Sequence, residues 1–195
     1  ALKLLGVEKF LDGIHNMAEL PVYPQQFGAR VFKISRDTQG NRLTHMKITG
    51  GRLRVKQILE SSSLEEKEKL DQIRLYSGAA CQMTDEVQAG EVCAVTGLQK
   101  SLAGMGYGFE TEAEAPVLEP VLSYQILLPE GSDVHGTFLK LCQLEEEEPQ
   151  LHMVWDERTQ EISAKVMGEV QIEVLKNLIR ERFQMAVEFG AGSIT

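Results

Sequence analysis

EISAKVMGEVQIEVLKNLIRER, residues 161–182, changes period at its centre. Up to Met167 it reads as a strand. After Gly168, Ile172, Leu175 and Ile179 fall on one helical stripe. A strand that stops at a glycine and restarts as a helix begins a phosphate loop, a catalytic turn or a plain corner. The first helical turns carry Glu169 and Glu173, where negative charge suits the helix dipole. A bound phosphate would want free backbone amides and no carboxylate there. The stretch therefore reads as a corner, with Gly168 expected to serve backbone geometry, at positive φ if the turn is tight.

The corner sits in a regular order of elements. PVLSYQILLP (120–129) reads as a strand. GSDVHGTFLKLCQLEEEEP (131–149) reads as a helix with Ser132 or Asp133 as N-cap and Pro149 past its end. QLHMVWDE and EISAKVM are strands about the turn RTQ, and FQMAVEFG (183–190) is the last strand. The order βαββαβ is the ferredoxin-like unit, two helices on one face of a four-stranded sheet. Four consecutive carboxylates, Glu145–Glu148, crowd the end of its first helix. They oppose the dipole and repel one another, and read as a solvated helix end.

Upstream the period is two. ARVFKIS (29–35) and RLTHMKIT (42–49) flank the turn DTQGN. In the first, Val31 alternates with Lys33 and Phe32 with Ile34. In the second, Leu43, His45, Lys47 and Thr49 share a face. RLRV, QIRLYSG and EVCAVTGL follow as short strands, and ESSSLEEKEK (60–69) reads as a hairpin tip or surface loop. Many short strands between glycine-rich turns indicate a small β-barrel. SLAGMGYGFETEAEAP (101–116) closes this region, with GMGYG read as a loop because it does not join a strand to a strong helix. At the start, VEKFLDGIHNMA (7–18) has helical spacing before the linker ELPVYPQQFG. That lone amphipathic helix has little of its own to pack on.

The 195 residues suit one large or two small domains, and 43% hydrophobic with 25% charged residues is a globular composition. No apolar run approaches the roughly 20 residues of a membrane helix, and the first residues lack signal-peptide features. Cys81, Cys93 and Cys142 form no CxxC pair and have no histidine at ligand spacing, which argues against zinc. The odd cysteine count favours a reducing, cytoplasmic setting. No phosphate-loop motif occurs, and His15, His45, His135 and His152 lie in no recognised nucleophile motif, so they read as surface or core residues. A freestanding phosphatase on a ferredoxin-like fold would need an arginine in the loop LLPEGSDVHG, which has none. An interaction module using the acidic surface stays open.

The net charge of −9 is unevenly placed. Residues 29–57 hold Arg30, Lys33, Arg36, Arg42, Lys47, Arg52, Arg54 and Lys56 against Asp37 alone, a net +7 that leaves −16 elsewhere. Local charge governs docking on phosphates. The alternative is a solvated sheet face.

RVFKISRDTQGNRLTHMKITGGRLRV (30–55) resembles the opening of the β-barrel second domain of translational GTPases of the elongation factor G branch. DEVQAGEVCAVTGL (85–98) is similar to a later strand pair of that domain. LEEEEPQLHMVWDERTQEISAKVMGEVQIEVLKNLIRERF (144–183) is similar to the third domain, whose motif falls on residues 166–173 with Gly168 and Glu169 as structural residues. GVEKFLDGI (6–14) resembles the last helix of the GTPase domain. Gln171 in place of histidine, and Lys56-Gln57 in place of a Gly-Asp pair, look more like the ribosomal protection proteins that confer tetracycline resistance. An ordinary elongation factor G paralogue acting in translocation is the other branch.

The resemblance implies a helix and linker over 1–26, the barrel over 27–115 and the ferredoxin-like domain over 116–195. It implies that the GTPase domain, with GTP and magnesium, and the fourth domain lie outside this sequence. The chain is therefore not expected to be an enzyme or to hold a cofactor or metal. Its implied partners are the ribosome, through small-subunit rRNA and a small-subunit protein, and the GTPase domain of the parent chain, with no membrane. Arg30, Lys33, Arg42, Lys47, Arg52, Arg54 and Lys56 are the candidate rRNA contacts.

Overall fold

Alternation over residues 29–49 is realised as a hairpin of β1 (Gly28–Arg36) and β2 (Arg42–Gly50). The structure, a computed structural model, describes residues 4–19, 21–78, 80–112 and 122–194. Asp37 makes the turn between the strands, its carboxylate accepting from the backbone N–H groups of Gln39 and Asn41 at 2.9 Å each. The alternation breaks once. Val31 pairs with Met46 and Lys33 with His45, so Phe32 is the extra residue of a β-bulge. Val31 and Ile34 are both buried although three apart, and Lys33 faces outward rather than sharing Val31's face. A bulge absorbs the mismatch between a spacing of three and a period of two.

Short strands complete the barrel: β3 (Arg52–Arg54), β4 (Ile58–Leu59), β5 (Glu68–Lys69), β6 (Gln72–Ser77), β7 (Ala80–Thr84), β8 (Glu86–Gln88), β9 (Val92–Thr96) and β10 (Gly106–Gly108). The main sheet runs β10-β1-β2-β9-β6-β7, with β3–β8 and β4–β5 as separate ribbons. The stretch 60–67 forms the tip between β4 and β5, as its composition indicated. Val31, Met46, Ile48, Leu53, Ile73, Val95 and Tyr107 belong to one buried cluster.

GMGYG is not a loop throughout. Its last three residues are β10, antiparallel to β1 with Tyr107 opposite Ala29. Tyr107 is fully buried and its hydroxyl donates to Glu68 Oε2 at 3.0 Å. Glu68 Oε1 in turn accepts from the backbone N–H of Gln99 and Lys100. A buried carboxylate needs such partners. Here they tie the β4–β5 ribbon to the closing strand. Burial, and then the charge of Glu68, push the Tyr107 phenol well above its usual range.

The second core follows the expected order: β11 (Leu122–Leu127), α2 (Val134–Glu147), β12 (His152–Asp156), β13 (Glu161–Val166), α3 (Glu169–Phe183), β14 (Glu188–Phe189) and β15 (Ser193–Ile194). The antiparallel path β12-β13-β11-β14 is the ferredoxin-like arrangement, with β15 also on β11. The last strand is shorter than FQMAVEFG. Asp133 is the N-cap of α2, its Oδ1 accepting from Gly136 N at 3.0 Å. Leu141, Leu144, Ile162, Leu175 and Ile179 share the core. The first helix, α1 (Val7–Met17), leaves Phe10, Leu11, Ile14 and Met17 exposed. Part of the acidic, proline-stopped stretch 112–116 lies outside the described residues.

Gly168 departs from expectation. Its φ of −173° and ψ of 166° are extended backbone open to any residue, and an added Cβ would meet nothing within 4 Å. The corner is held instead by Gln171, whose Oε1 accepts from Met167 N at 2.7 Å. An N3 side chain reaching back past the N-cap resembles a capping box displaced by one residue. Gly168→Ala should therefore change stability by less than about 0.5 kcal/mol, because the poorer N-cap offsets the smaller unfolded-state entropy. Thermal unfolding of the two proteins checks this, and a fall of several degrees would restore the glycine requirement.

Candidate nucleic-acid interface

The basic stretch is dispersed by the fold, and most of it is already paired. Leu53 is fully buried while Arg52 and Arg54 flank it on the exposed face of β3, as period-two alternation requires. Both reach one carboxylate: Arg52 Nη1 lies 2.8 Å from Glu86 Oε1, and Arg54 Nε bonds Glu86 Oε2. The Arg54 bond is the main cause that holds the Glu86 carboxyl below its usual range. The trio still carries one net positive charge on an open surface. Arg30 pairs with Glu110 and Lys56 with Asp71. Lys56 sits at φ 64°, the left-handed region that favours glycine. That explains why a Gly-Asp pair suits this turn where the present chain has Lys56-Gln57.

Lys33 and Lys47 make no ion pair among the described residues. They stand on the outer face of the main sheet. Lys47 is opposite Arg30, and Lys33 is opposite His45. His45 Nε2 lies 2.7 Å from Ser35 Oγ, a neighbour that sequence motifs did not reveal. Burial first, and then the charge of Lys33, lower the His45 pKa.

Arg42 is no docking residue. It is buried, 7% exposed. Its Nη1 donates to Leu98 O at 3.0 Å and to Ser101 Oγ at 2.7 Å, and its Nη2 donates to Ser101 O. Its Nε crosses to Glu146 Oε2 of α2 at 3.0 Å. Arg36 Nη2 reaches the same oxygen at 3.2 Å and lies near Glu147, which Arg182 of α3 also holds. Glu145 accepts from Met153 N at 3.2 Å and lies at the same distance from His152 Nδ1. The acidic helix end is therefore not simply solvated. Cations from the barrel and from α3 offset its repulsion and the helix dipole. Two residues of the basic stretch, the buried Arg42 and the partly buried Arg36, thus join the barrel to the ferredoxin-like unit. No group of three or more metal-ligating side chains occurs among the described residues, and none of their helices is long and apolar enough to cross a membrane.

Known proteins match both units. The family model for elongation factor G domain 2 covers residues 26–104, and that for elongation factor G domain III covers residues 117–191. Elongation factor G of Amoebophilus asiaticus is 27% identical over 178 residues, 89% of this chain and 25% of the relative. Elongation factor G of Ureaplasma parvum is 25% identical across 100% of this chain and 32% of its own length. The tetracycline resistance protein TetP of Clostridium perfringens is 24% identical across 95% of this chain and 29% of its own length. A crystal structure from Thermus thermophilus superposes on 95% of the chain and 29% of its own with a TM-score of 0.73 at 23% identity, a likeness of fold. The chain thus spans about a third or less of the length of these relatives. With its barrel matched to the second domain and its ferredoxin-like unit to the third, the chain belongs to the elongation factor G-like family of translational GTPases.

Proposed function

We propose that this chain is a ribosome-docking part of an elongation factor G-like factor acting in the cytoplasm. Its barrel rests on small-subunit rRNA, and its ferredoxin-like unit lies between a small-subunit protein and a GTPase domain of the parent chain. The observation that carries the docking role is the exposed Arg52–Glu86–Arg54 trio. A net positive group on a rigid strand within a chain of net charge −9 suits phosphate, which positions without reading sequence. Double reversal to glutamate at 52 and 54 is expected to weaken small-subunit binding by the full-length parent several-fold at low salt and less at high salt. The fold should survive, since exposed pairs contribute little. Unaltered binding at low salt, measured by co-sedimentation, would remove the docking role from these arginines.

Residues 1–195 are assigned no nucleotide chemistry of their own. Calorimetry with GTP and magnesium tests this, and micromolar one-to-one binding would overturn it. Within the family we favour the ribosomal protection branch, on Gln171 and on Lys56-Gln57. Expressing the full-length parent in tetracycline-sensitive cells should raise the drug concentration that stops growth. Rescue of elongation factor G loss instead, with no change in drug tolerance, would assign the chain to translocation. The similarity to elongation factor G relatives at 25–27% identity supports that second reading.

A further inference from the structure

The β-bulge at Phe32 has a consequence beyond packing. An extra residue in β1 sets both Phe32 and Lys33 on the outer face across from His45. The Phe32 and His45 rings lie 6.1 Å apart between centroids, and those of His45 and Tyr76 lie 6.2 Å apart. Three rings thus line up across β1, β2 and β6. Phe32 is 52% exposed and Tyr76 43%, unusual for aromatics on a strand face with no cover. Ala94, opposite both His45 and Arg74, is the small residue in the middle of the row. Beside the row lies a cleft of about 610 Å³ bordered by Ser35, Asp37, His45, Arg74, Tyr76 and Met83, with Phe32, Lys33 and Lys47 outside its lining. That volume lies in the range of small-ligand sites.

The charges around the row select the occupant. Lys33 and Lys47, the two cations of the basic stretch without an ion pair among the described residues, share this outer face. Arg74 borders the cleft with its charge balanced by Asp37 at 2.9 Å. Flat π surfaces flanked by free lysines suit an unpaired base and its phosphates, because stacking tolerates any base and lysine follows the backbone. A membrane would want a larger apolar face, and a basic peptide would meet repulsion from Lys33 and Lys47.

We propose that Phe32, His45 and Tyr76, with Lys33 and Lys47, form a stacking site for an unpaired RNA nucleotide on the outer face of the barrel. This deepens the docking reading and rests on it, but the site is separate from Arg52 and Arg54. Burial, and then the charge of Lys33, lower the His45 pKa and so favour its uncharged ring.

The test uses the purified chain and a short single-stranded RNA carrying 2-aminopurine. Wild type should quench the probe on binding, and a duplex of the same length should not compete. Tyr76→Leu and Phe32→Leu keep apolar bulk but lose the ring, and each should weaken binding about tenfold. Tyr76→Phe should bind as wild type. Melting curves of the Tyr76 variants verify that the fold is kept. Equal binding by Tyr76→Leu, or equal competition by the duplex, would overturn the stacking site. So would preferential binding of small-subunit proteins stripped of RNA. Co-sedimentation of the full-length parent with small subunits separates the two readings. If the Arg52 and Arg54 reversal weakens it and the ring variants do not, stacking fails and docking stands. If wild type does not bind small subunits at all, both fail.

Discussion

Arg42→Met should lower the stability of the barrel by about 3 kcal/mol, a large fraction of what holds a domain folded. Methionine nearly fills the arginine's volume, so the loss comes from hydrogen bonding. Arg42 satisfies Leu98 O, Ser101 O and the Ser101 hydroxyl, in a pocket where Ser101 and Thr44 are fully buried. Removing the donor strands the Leu98 and Ser101 carbonyls away from water, while the Ser101 hydroxyl keeps Thr44 Oγ1 at 2.6 Å, and each stranded group costs about 1–3 kcal/mol. Lys47→Met on the exposed face is the control and should change stability by less than about 0.5 kcal/mol. Urea midpoints measure both. A shift for Arg42 no larger than that for Lys47 would mean water replaces the guanidinium without loss.

The same residue reaches Glu146, so the variant should also loosen the joint to the ferredoxin-like unit. Glu146→Gln with Glu147→Gln separates the two effects. It leaves the barrel pocket filled but removes the carboxylates that Arg36, Arg42 and Arg182 hold. Barrel stability should then stay near wild type while the two units unfold with less coupling. Such a joint gives the acidic run a mechanical role, since it fastens the end of α2 to a strand of the barrel.

What the sequence disclosed follows from periodicity. Every element of the βαββαβ unit was legible because hydrophobic spacing switches between two and 3.6 at turn residues that serve local needs, such as Asp133 capping α2. In the barrel β1, β2, β3, β6 and β9 were legible for the same reason, whereas the short strands β4, β5, β7, β8 and β10 show too little of a period to mark them. Phe32 was misassigned because a bulge is set by pairing with His45 across the hairpin, which no single-strand pattern reports. Gly106–Gly108 looked like a loop because GMGYG fails as a strand-to-helix dinucleotide turn, and nothing in its own spacing marks a strand. Only the close approach of β10 to neighbouring backbone makes glycine suitable there, with an added Cβ at Gly106 falling 2.5 Å from Glu110 O. The basic stretch was visible as composition, but which of its cations are paired depends on distant carboxylates. Glu86 and Glu146 decide which arginines stay available, and both lie far away in sequence.

Gly108→Ala should be the most damaging glycine substitution in the barrel. Gly108 has φ of +70°, where a side chain is strained, and a Cβ there would be driven into the carbonyl oxygen of Phe27. The strain alone costs about 1–2 kcal/mol. The clash cannot be relieved by a rotamer, because the obstacle is backbone. Phe27 O already accepts from Phe109 N at 3.1 Å, and Gly108 N donates to Glu60 O at 3.1 Å. Relief therefore requires β10 to move off β1, which would uncover Tyr107 and break its bond to Glu68. We expect a total loss of at least about 4 kcal/mol, enough to leave the barrel partly unfolded at ambient temperature. Gly40→Ala in the β1–β2 turn is the comparison. Its φ is +83°, but nothing lies within 4 Å of an added Cβ, so it should show the strain without the clash, a loss of about 1 kcal/mol. Denaturation of the two variants followed by tyrosine fluorescence separates the terms. Equal losses at the two positions would show that β10 can yield to a methyl group without giving up its pairing.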